Sequence, residues 1–382
     1  MRTIRRLLAV GAFLWLAPLA GQTAMEDTIR YVDAVDFPRL GQVTTEGLES
    51  PYDRLPAYLK DSIRKELWDL GKNSAGIAVR FRTDSKKITA RWEVLNNTWM
   101  NHMTPTGIKG LDLYAWDEGR WIFVGSGRPG YSKGTFTSTF ISNMDGQMRE
   151  YMLYLPLYDC ATKVEIGVLG RARIERPELL SLVEEKPVVV YGTSITQGGC
   201  ANRPGMAYTS ILSRRMNREF INLGFSGNGR LDPEIARLMA QVDASCYVLD
   251  NMANCTTQML DRLEEFVGIL RQAHPDTPIV LLGNAHYTYV RFNTVSAGEV
   301  AEKDARLREL FRQMSREDKN LYYVPGERLI GLDDEATVDG THFTDLGFVR
   351  MSDNLYPVLE RILRRHARYP RGVRLGKEQL PP

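Results

Sequence analysis

A serine surrounded by small residues stands in the segment YGTSITQGG, residues 191–199. A serine hydroxyl becomes a nucleophile when a base lies within hydrogen-bonding reach and a carboxylate orients that base. In VDGTHFTDLG, His342 follows Asp339 by three residues, with Gly340 between them, so one short loop presents an imidazole and a carboxylate. Ser194, His342 and Asp339 are therefore the candidate catalytic residues, and their chemistry would be acyl transfer.

Other serine- or glycine-rich loops do not fit the segment. A phosphate loop needs GxxxxGK[ST], and no such lysine follows; a dinucleotide loop needs GxGxxG, which GTSITQGG lacks. The nucleophile elbow GxSxG is matched by neither GTSIT nor GFSGN. Taken alone, Ser194 fits a turn residue better than a nucleophile, so the case depends on its partners.

The remaining four histidines are weaker candidates for the base. His366 lies on a basic helix face, His274 ends a helix before a proline, and His102 falls in a strand-rich region. His286 follows the apolar strand PIVLLG and reaches the same edge as Ser194. It is a candidate pocket residue, with a structural loop role as the alternative.

Two further segments offer hydrogen-bond donors for the oxyanion that forms during acyl transfer. NLGFSGNG, residues 222–229, places Gly227 in a loop from which a backbone N–H can point outward. LDNMANC, residues 249–255, places the side-chain amide of Asn254 after an apolar strand. With the backbone N–H of Ser194, these groups form the candidate oxyanion hole.

The elements that must position these residues follow from an alternation of strands and helices over residues 187–370. Five apolar strands are predicted, VVVYG, FINLG, CYVLD, PIVLLG and LYYVP, with helices between them. This pattern predicts an α/β fold, a doubly wound parallel five-stranded sheet. Functional sites in such sheets lie beyond the carboxyl ends of the strands, where all the candidate segments fall.

Residues 25–178 predict a separate all-β domain, a sandwich or jelly roll, joined to the α/β domain by the polar connection 174–187. GIAVRFRT and KITARWEV alternate apolar and polar residues around DSKK, which predicts a hairpin. GLDLYAWDEGRWIFVGSG predicts a second hairpin that turns at DEG, and EYMLYLPLYDCATKVEIGV predicts two more strands.

Residues 1–24 predict a secretory signal peptide, because the basic MRTIRR precedes a short apolar run and the small residues GQTA. The run is shorter than the ~20 residues of a membrane span; an uncleaved anchor or a buried helix is the alternative. Periplasmic or secreted localisation, without membrane insertion after cleavage, follows. Residues 371–382 are assigned as a C-terminal tail.

Charge and cysteine content exclude some partners. Cleavage would remove three arginines and no acidic residue, so the formal net charge would change from +2 to −1 (2 minus 3). A near-neutral chain gives no electrostatic basis for binding nucleic acid. The four cysteines show no CxxC or Cys/His metal spacing, so no metal is expected. Cys200 and Cys255, both near candidate site residues, could form a disulfide.

The order of Ser, Gly, Asn and Asp-x-x-His at successive strand ends resembles the SGNH (GDSL-like) hydrolases. GTSITQG in place of GDS, together with GLDLY at 110–114, is similar to the two-domain SGNH esterases with an N-terminal β-sandwich. The family's third block is commonly Gly-x-Asn-Asp, whereas Met252, Ala253, Asn254 and Cys255 stand there in this chain. The resemblance implies a flavodoxin-like catalytic domain and the roles given above to Ser194, Gly227, Asn254, Asp339 and His342.

The function implied by the resemblance is hydrolysis of acyl esters, acetyl esters above all, on carbohydrate, with no metal or organic cofactor. Arg203, Tyr208 and His286 are candidate substrate contacts, and core packing or a salt bridge is the alternative for the first two. Two other functions remain open: transfer of the acyl group to an alcohol acceptor, and carbohydrate binding without catalysis. The oligomeric state is not predicted.

Overall fold

The computed structural model of the protein describes residues 28–178 and 186–366. The predicted signal peptide (1–24) and C-terminal tail (371–382) lie outside these ranges, as do residues 179–185 of the predicted connection between domains. Within the described ranges, no helix combines the length and the apolar character that crossing a bilayer requires.

Ten strands within residues 28–178 form two antiparallel sheets. They are β1 (Ile29–Asp33), β2 (Arg39–Leu40), β3 (Ala78–Thr83), β4 (Ile88–Val94), β5 (Leu111–Asp117), β6 (Arg120–Gly127), β7 (Thr135–Ile141), β8 (Arg149–Tyr154), β9 (Ala161–Leu169) and β10 (Ile174–Glu175). One sheet has the order β1-β9-β4-β7; the other has β10-β3-β8-β5-β6, with β2 beside β3. Phe81, Trp92 and Tyr151 belong to the apolar core that both sheets share. The antiparallel β-rich architecture is thus confirmed.

One predicted hairpin is wrong and the other is confirmed. Strands β3 and β4 lie in different sheets, so DSKK connects the two sheets and does not close a hairpin. Alternation predicts that a strand is half buried, but it does not identify the strand beside it. Strands β5 and β6 do pair, and Glu118 and Gly119 have φ of +49° and +76°, as the tight turn between paired strands requires.

Residues 186–366 form five parallel strands in the order β12-β11-β13-β14-β15, so the doubly wound flavodoxin-like sheet is confirmed. The strands are β11 (Val188–Gly192), β12 (Phe220–Gly224), β13 (Cys246–Asp250), β14 (Ile279–Leu282) and β15 (Leu321–Val324). Two α-helices of the described residues lie in the N-terminal part, α1 (Lys65–Gly71) and α2 (Pro105–Lys109). Those of residues 186–366 are α3 (Ser194–Gln197), α4 (Tyr208–Met216), α5 (Pro233–Met239), α6 (Leu263–Ala273), α7 (Thr294–Met314) and α8 (Asp345–His366). Two apolar cores result, one containing Phe266 and Leu310, the other containing Phe348 and Leu355.

Two of the contacts that join the sandwich to the α/β part bear on the segments around the candidate site. The buried guanidinium of Arg54 donates to the carbonyl oxygen of Gly224 at 2.6 Å, at the end of β12. The buried carboxylate of Asp112, in GLDLY, accepts from Arg203 at 2.7 Å and from the backbone N–H of Gly205 at 2.9 Å. Both contacts reach segments that lead into or out of the candidate site, so the sandwich takes part in positioning it.

Candidate active site

The serine lies on a tight turn between strand and helix. Strand β11 ends at Gly192, Thr193 caps the one-turn helix α3 through its hydroxyl, and Ser194 is the first helical residue. A Cβ on Gly192 would lie 2.0 Å from the hydroxyl oxygen of Thr196, so the close approach of helix to strand requires glycine. Gly198 ends the helix with φ of +109°, a left-handed conformation that also favours glycine.

The structure brings Ser194, His342 and Asp339 into one hydrogen-bonded chain. Ser194 Oγ lies 3.0 Å from His342 Nε2, and His342 Nδ1 lies 2.7 Å from Asp339 Oδ2. Ser194 is only 5% exposed, whereas the imidazole and the carboxylate are partly open to solvent. This is the geometry in which an imidazole can accept a serine proton while a carboxylate fixes the ring.

Asp339 is held by the loop that it begins. Its Oδ1 accepts from the backbone N–H groups of Thr341 at 3.0 Å and His342 at 2.7 Å. Partial burial acts to raise the pKa of Asp339, but hydrogen bonds from the His342 side chain and from these two N–H groups outweigh it and lower the pKa. The carboxylate is therefore charged at neutral pH, as a group that stabilises an imidazolium must be.

A buried polar network supports the serine turn from below. Asp250 Oδ2, at the end of β13, accepts from Thr196 at 2.7 Å and from the hydroxyl of Tyr208 at 3.0 Å. Tyr208 is 1% exposed and its hydroxyl points to Asp250. Tyr208, a candidate substrate contact from the sequence, is thus placed beneath the turn, out of reach of a substrate.

The loops after β12 and β13 are fixed to each other and to the serine turn. The backbone N–H of Ser226 donates to Gln197 at 2.9 Å. The N–H of Gly229 donates to Asn254 Oδ1 at 3.2 Å, which leaves the amide nitrogen of Asn254 to donate elsewhere. Gly227 is exposed, has φ of +67°, and a Cβ there would meet nothing within 4 Å. Both candidate oxyanion segments therefore lie at the carboxyl edge of the sheet with α3.

The other two sequence candidates have partners of their own. Arg203 binds Asp112 and stacks on Phe123, with 3.9 Å between its guanidinium carbon and the ring centre, so it belongs to the contact between domains. His286 Nε2 lies 2.7 Å from Asp334 Oδ1, and about a quarter of the imidazole is exposed. Of the three candidate substrate contacts, Tyr208 alone is buried, whereas the side chains of Arg203 and His286 are each 22–23% exposed.

His102 is the residue near the site that sequence reasoning missed. It lies on the connection between β4 and α2, and its ring centre is 5.6 Å from that of His342. The exposed His102 comes from the sandwich, 240 positions before its neighbour, so no local motif could have indicated the contact. The wall of the candidate site beside the His342 imidazole is therefore supplied by the other domain.

The disulfide suggested for Cys200 and Cys255 is absent: all four cysteines, each within the described ranges, are free thiols. Cys255 packs in the core with Phe266, whereas Cys200 packs in the core with Phe348. The two sulfurs thus belong to apolar cores on different faces of the sheet, which is why nearness in sequence to site residues did not bring them together. Burial, and secondarily Asp339, raises the pKa of Cys200 to about 12.

The fold and site define a class of α/β protein in which a Ser-His-Asp chain lies at the carboxyl ends of the strands, with a β-sandwich beside it. Two family models match the chain: the GDSL-like lipase/acylhydrolase family over residues 185–360, and the N-terminus of SGNH-hydrolase-type esterases over residues 29–174. The chain belongs to the GDSL-like lipase/acylhydrolase family and carries the N-terminal domain of its SGNH esterases.

Solved structures agree with this membership. A Bacteroides ovatus protein described as a GDSL-like lipase is 38% identical, with a TM-score of 0.83 over 88% of this chain and 98% of that one. A salicylyl-acyltransferase from a tetracycline biosynthetic pathway is 19% identical, with a TM-score of 0.69 over 87% and 97%. A family two carbohydrate esterase from Cellvibrio japonicus is 12% identical, with a TM-score of 0.55 over 88% and 98%; the last two show the fold alone. A search of the curated proteins finds no match.

Proposed function

We propose that this protein is a secreted or periplasmic serine esterase that removes acyl groups, acetyl above all, from carbohydrate. The observation that carries the proposal is the unbroken chain from Ser194 Oγ through His342 to Asp339, with links of 3.0 and 2.7 Å. Membership in an acylhydrolase family supports the reaction class. The predicted signal peptide supports the location.

In this mechanism, His342 Nε2 takes the proton of Ser194 while Oγ attacks the ester carbonyl carbon. Asp339 orients the ring and stabilises the imidazolium. The oxyanion is bound by the backbone N–H groups of Ser194 and Gly227 and by the amide of Asn254. The imidazolium then protonates the leaving alcohol, and water, activated by His342, releases the acid and restores the hydroxyl. The chain's own groups thus supply every proton transfer.

The choice of carbohydrate as substrate has two supports. Carbohydrate esterases share the fold, and one of them, from Clostridium thermocellum, was solved with cellohexaose; it is 13% identical, with a TM-score of 0.54 over 76% of this chain and 93% of that one. The connection that carries His102 also carries Trp99, whose surface is 72% exposed. An exposed indole offers a large apolar face on which a sugar ring can stack. His286, whose imidazole is about a quarter exposed, is a candidate for a polar contact to the sugar.

The test compares wild type with Ser194→Ala on 4-nitrophenyl acetate and on acetylated xylo-oligosaccharides, measuring nitrophenol and released acetate. Removal of the nucleophile is expected to reduce kcat by ~10⁴-fold or more. Ser245→Ala is the matched control, because Ser245 lies at the opposite edge of the sheet, where its hydroxyl donates a hydrogen bond to the carbonyl oxygen of Pro187. Circular dichroism checks that both variants are folded.

The outcomes separate the alternatives. Activity that persists in folded Ser194→Ala would contradict the proposed nucleophile. An acyl-sugar product that forms when a sugar acceptor is added would identify the protein as an acyltransferase. Oligosaccharide binding without turnover of either ester would favour a carbohydrate-binding protein.

A further inference from the structure

We propose that His102, Cys200 and His342 form an inhibitory site for a divalent transition metal ion such as Zn²⁺. One ring nitrogen of each histidine and the sulfur of Cys200 all lie within 4.8 Å of one another. Two imidazoles and a thiolate are ligands that zinc prefers, and a three-ligand set leaves a fourth position for water. The effect on activity rests on the proposed function, whereas metal binding itself does not.

The distances suit a site that closes when the metal arrives. With bonds of about 2.0–2.3 Å, ligand atoms around a tetrahedral zinc ion lie roughly 3.3–3.6 Å apart, so no pair of the three atoms has to approach by more than about 1.5 Å. The side chain of His102 is exposed, which leaves room for its ring to turn, and its one hydrogen bond among the described residues joins Nδ1 to the neighbouring, exposed Asn101 side chain at 3.0 Å. Cys200 is fixed by its backbone N–H, which donates to Phe343 at 3.3 Å.

Occupation of the site would stop catalysis whichever nitrogen of His342 the metal takes. A metal on Nε2 removes the lone pair that accepts the proton of Ser194. A metal on Nδ1 displaces the bond to Asp339 that orients the ring. As the metal–sulfur bond forms, the thiol proton of Cys200 passes to solvent, because a coordinating thiol is deprotonated. The protein is neither oxidised nor reduced, so a chelator restores the free enzyme.

The site also depends on the arrangement of the two domains. His102 comes from the sandwich, whereas Cys200 follows the serine helix and His342 follows the last strand. Their separations of 98 and 142 positions match no metal-binding motif, which is why the sequence predicted no metal. A bound ion would therefore connect the sandwich directly to the catalytic base.

The first experiment titrates ZnCl₂ into the enzyme during hydrolysis of 4-nitrophenyl acetate, followed by EDTA. We expect reversible inhibition of wild type. In His102→Ala and in Cys200→Ser the zinc concentration for half inhibition should rise ~10-fold or more. Mutation of a residue that only hydrogen-bonds to a metal ligand already lowers metal affinity by about that factor, and these variants lose a ligand itself. Each variant is compared with its own rate without metal. His274→Ala is the control, since His274 contacts Ala240 at the other edge of the sheet.

A second measurement does not need an active enzyme. Co²⁺ bound by wild type should produce a thiolate-to-cobalt absorption band. The band should be lost in Cys200→Ser and weakened in His102→Ala, a substitution of an exposed side chain that should leave the fold unchanged. Absence of zinc inhibition, equal inhibition of all variants, or cobalt binding without the thiolate band would each overturn the proposal. If the cobalt band appears but no ester is hydrolysed, the metal site stands and the proposed function fails.

Discussion

Asp250 is a buried carboxyl group directly beneath the serine turn. Burial raises its pKa to about 6, although hydrogen bonds from Thr196 and Tyr208 act to lower it. In the unfolded chain the pKa is near 3.8, so the folded state holds this proton more tightly than the unfolded state. Its contribution to stability is present in full below the unfolded pKa and is lost as the pH rises through about 6.

Replacing Asp250 with Asn should remove that dependence while keeping an oxygen that can accept from both hydroxyls. Relative to wild type, Asp250→Asn should gain about 2 kcal/mol in free energy of unfolding between pH 4 and 6, since a pKa unit corresponds to ~1.4 kcal/mol and the titration is incomplete at both ends of this range. Urea titrations at several pH values measure this difference. Asp243→Asn, which alters an exposed carboxylate paired with Lys186, is the control. A difference that does not change with pH would contradict the assignment.

Single residues also show what the sequence can predict. Ser194 could be found because it directly follows an apolar strand, and Asp339 and His342 because they share one short motif on the connection between the last strand and the last helix. His102 could not, because its position depends on how two domains pack. For Tyr208 the structure supports the alternative of core packing over substrate contact, since a motif gives nearness in sequence and not the direction of a side chain.

At the scale of elements, the loop that precedes α1 holds the end of β12 through one arginine. The guanidinium of Arg54 donates to four backbone carbonyl oxygens: Asn73 at 2.7 Å, Leu70 at 2.7 Å, Gly224 at 2.6 Å and Asn222 at 3.2 Å. The candidate oxyanion loop begins directly after Gly224. Arg54 therefore links the N-terminal segment to the elements that place Gly227.

Arg54→Leu should lower the free energy of unfolding by ~3 kcal/mol or more, because each buried carbonyl left without a donor costs ~1–3 kcal/mol. Chemical denaturation followed by tryptophan fluorescence measures the loss. Arg173→Leu is the matched control: Arg173 is largely exposed and pairs with Asp84, so its removal should cost ~1 kcal/mol at most. Equal stability of the two variants would show that the buried contacts of Arg54 contribute little.

Element boundaries in the α/β part followed from the sequence because its buried strands are short, continuous apolar runs bounded by polar or turn-forming residues. FINLG and CYVLD coincide with β12 and β13. Strand pairing in the sandwich is harder to predict from the sequence. The two strands on either side of DSKK are predicted correctly, but their pairing with each other is wrong. Strands far apart in the sequence pair according to the packing of the whole sandwich, which a local pattern does not contain.

At the scale of the whole molecule, GLDLY joins the two domains. Asp112 is fully buried and binds Arg203, while the ring of Tyr114 lies against Arg214, with 3.9 Å from its guanidinium carbon to the ring centre. A Cβ on Gly205 would lie 2.5 Å from the Tyr114 hydroxyl, so the segment after the serine helix fits closely on β5. The sandwich and the α/β part should therefore unfold together.

The substitution Asp112→Ala should uncouple the unfolding of the sandwich from that of the α/β part. Removal of one partner from a buried ion pair typically costs ~3–5 kcal/mol, because the other charge is left unpaired. Differential scanning calorimetry should then show two transitions where wild type shows one. Asp117→Ala, at the exposed end of the same strand, should leave the wild-type profile unchanged. A single Asp112→Ala transition at the wild-type temperature would contradict the inferred coupling.

The close fit of GLDLY on residues 203–205 also limits how such enzymes can be recombined. In a chimera that took its sandwich from a relative, the incoming hairpin would have to fit Arg203 and Gly205 as Asp112 and Tyr114 do in this chain. The smallest segment set to exchange between relatives is therefore the β5–β6 hairpin together with the residues after the serine helix. Directed evolution of substrate range should vary the two domains as a pair, since the joint is shared between them.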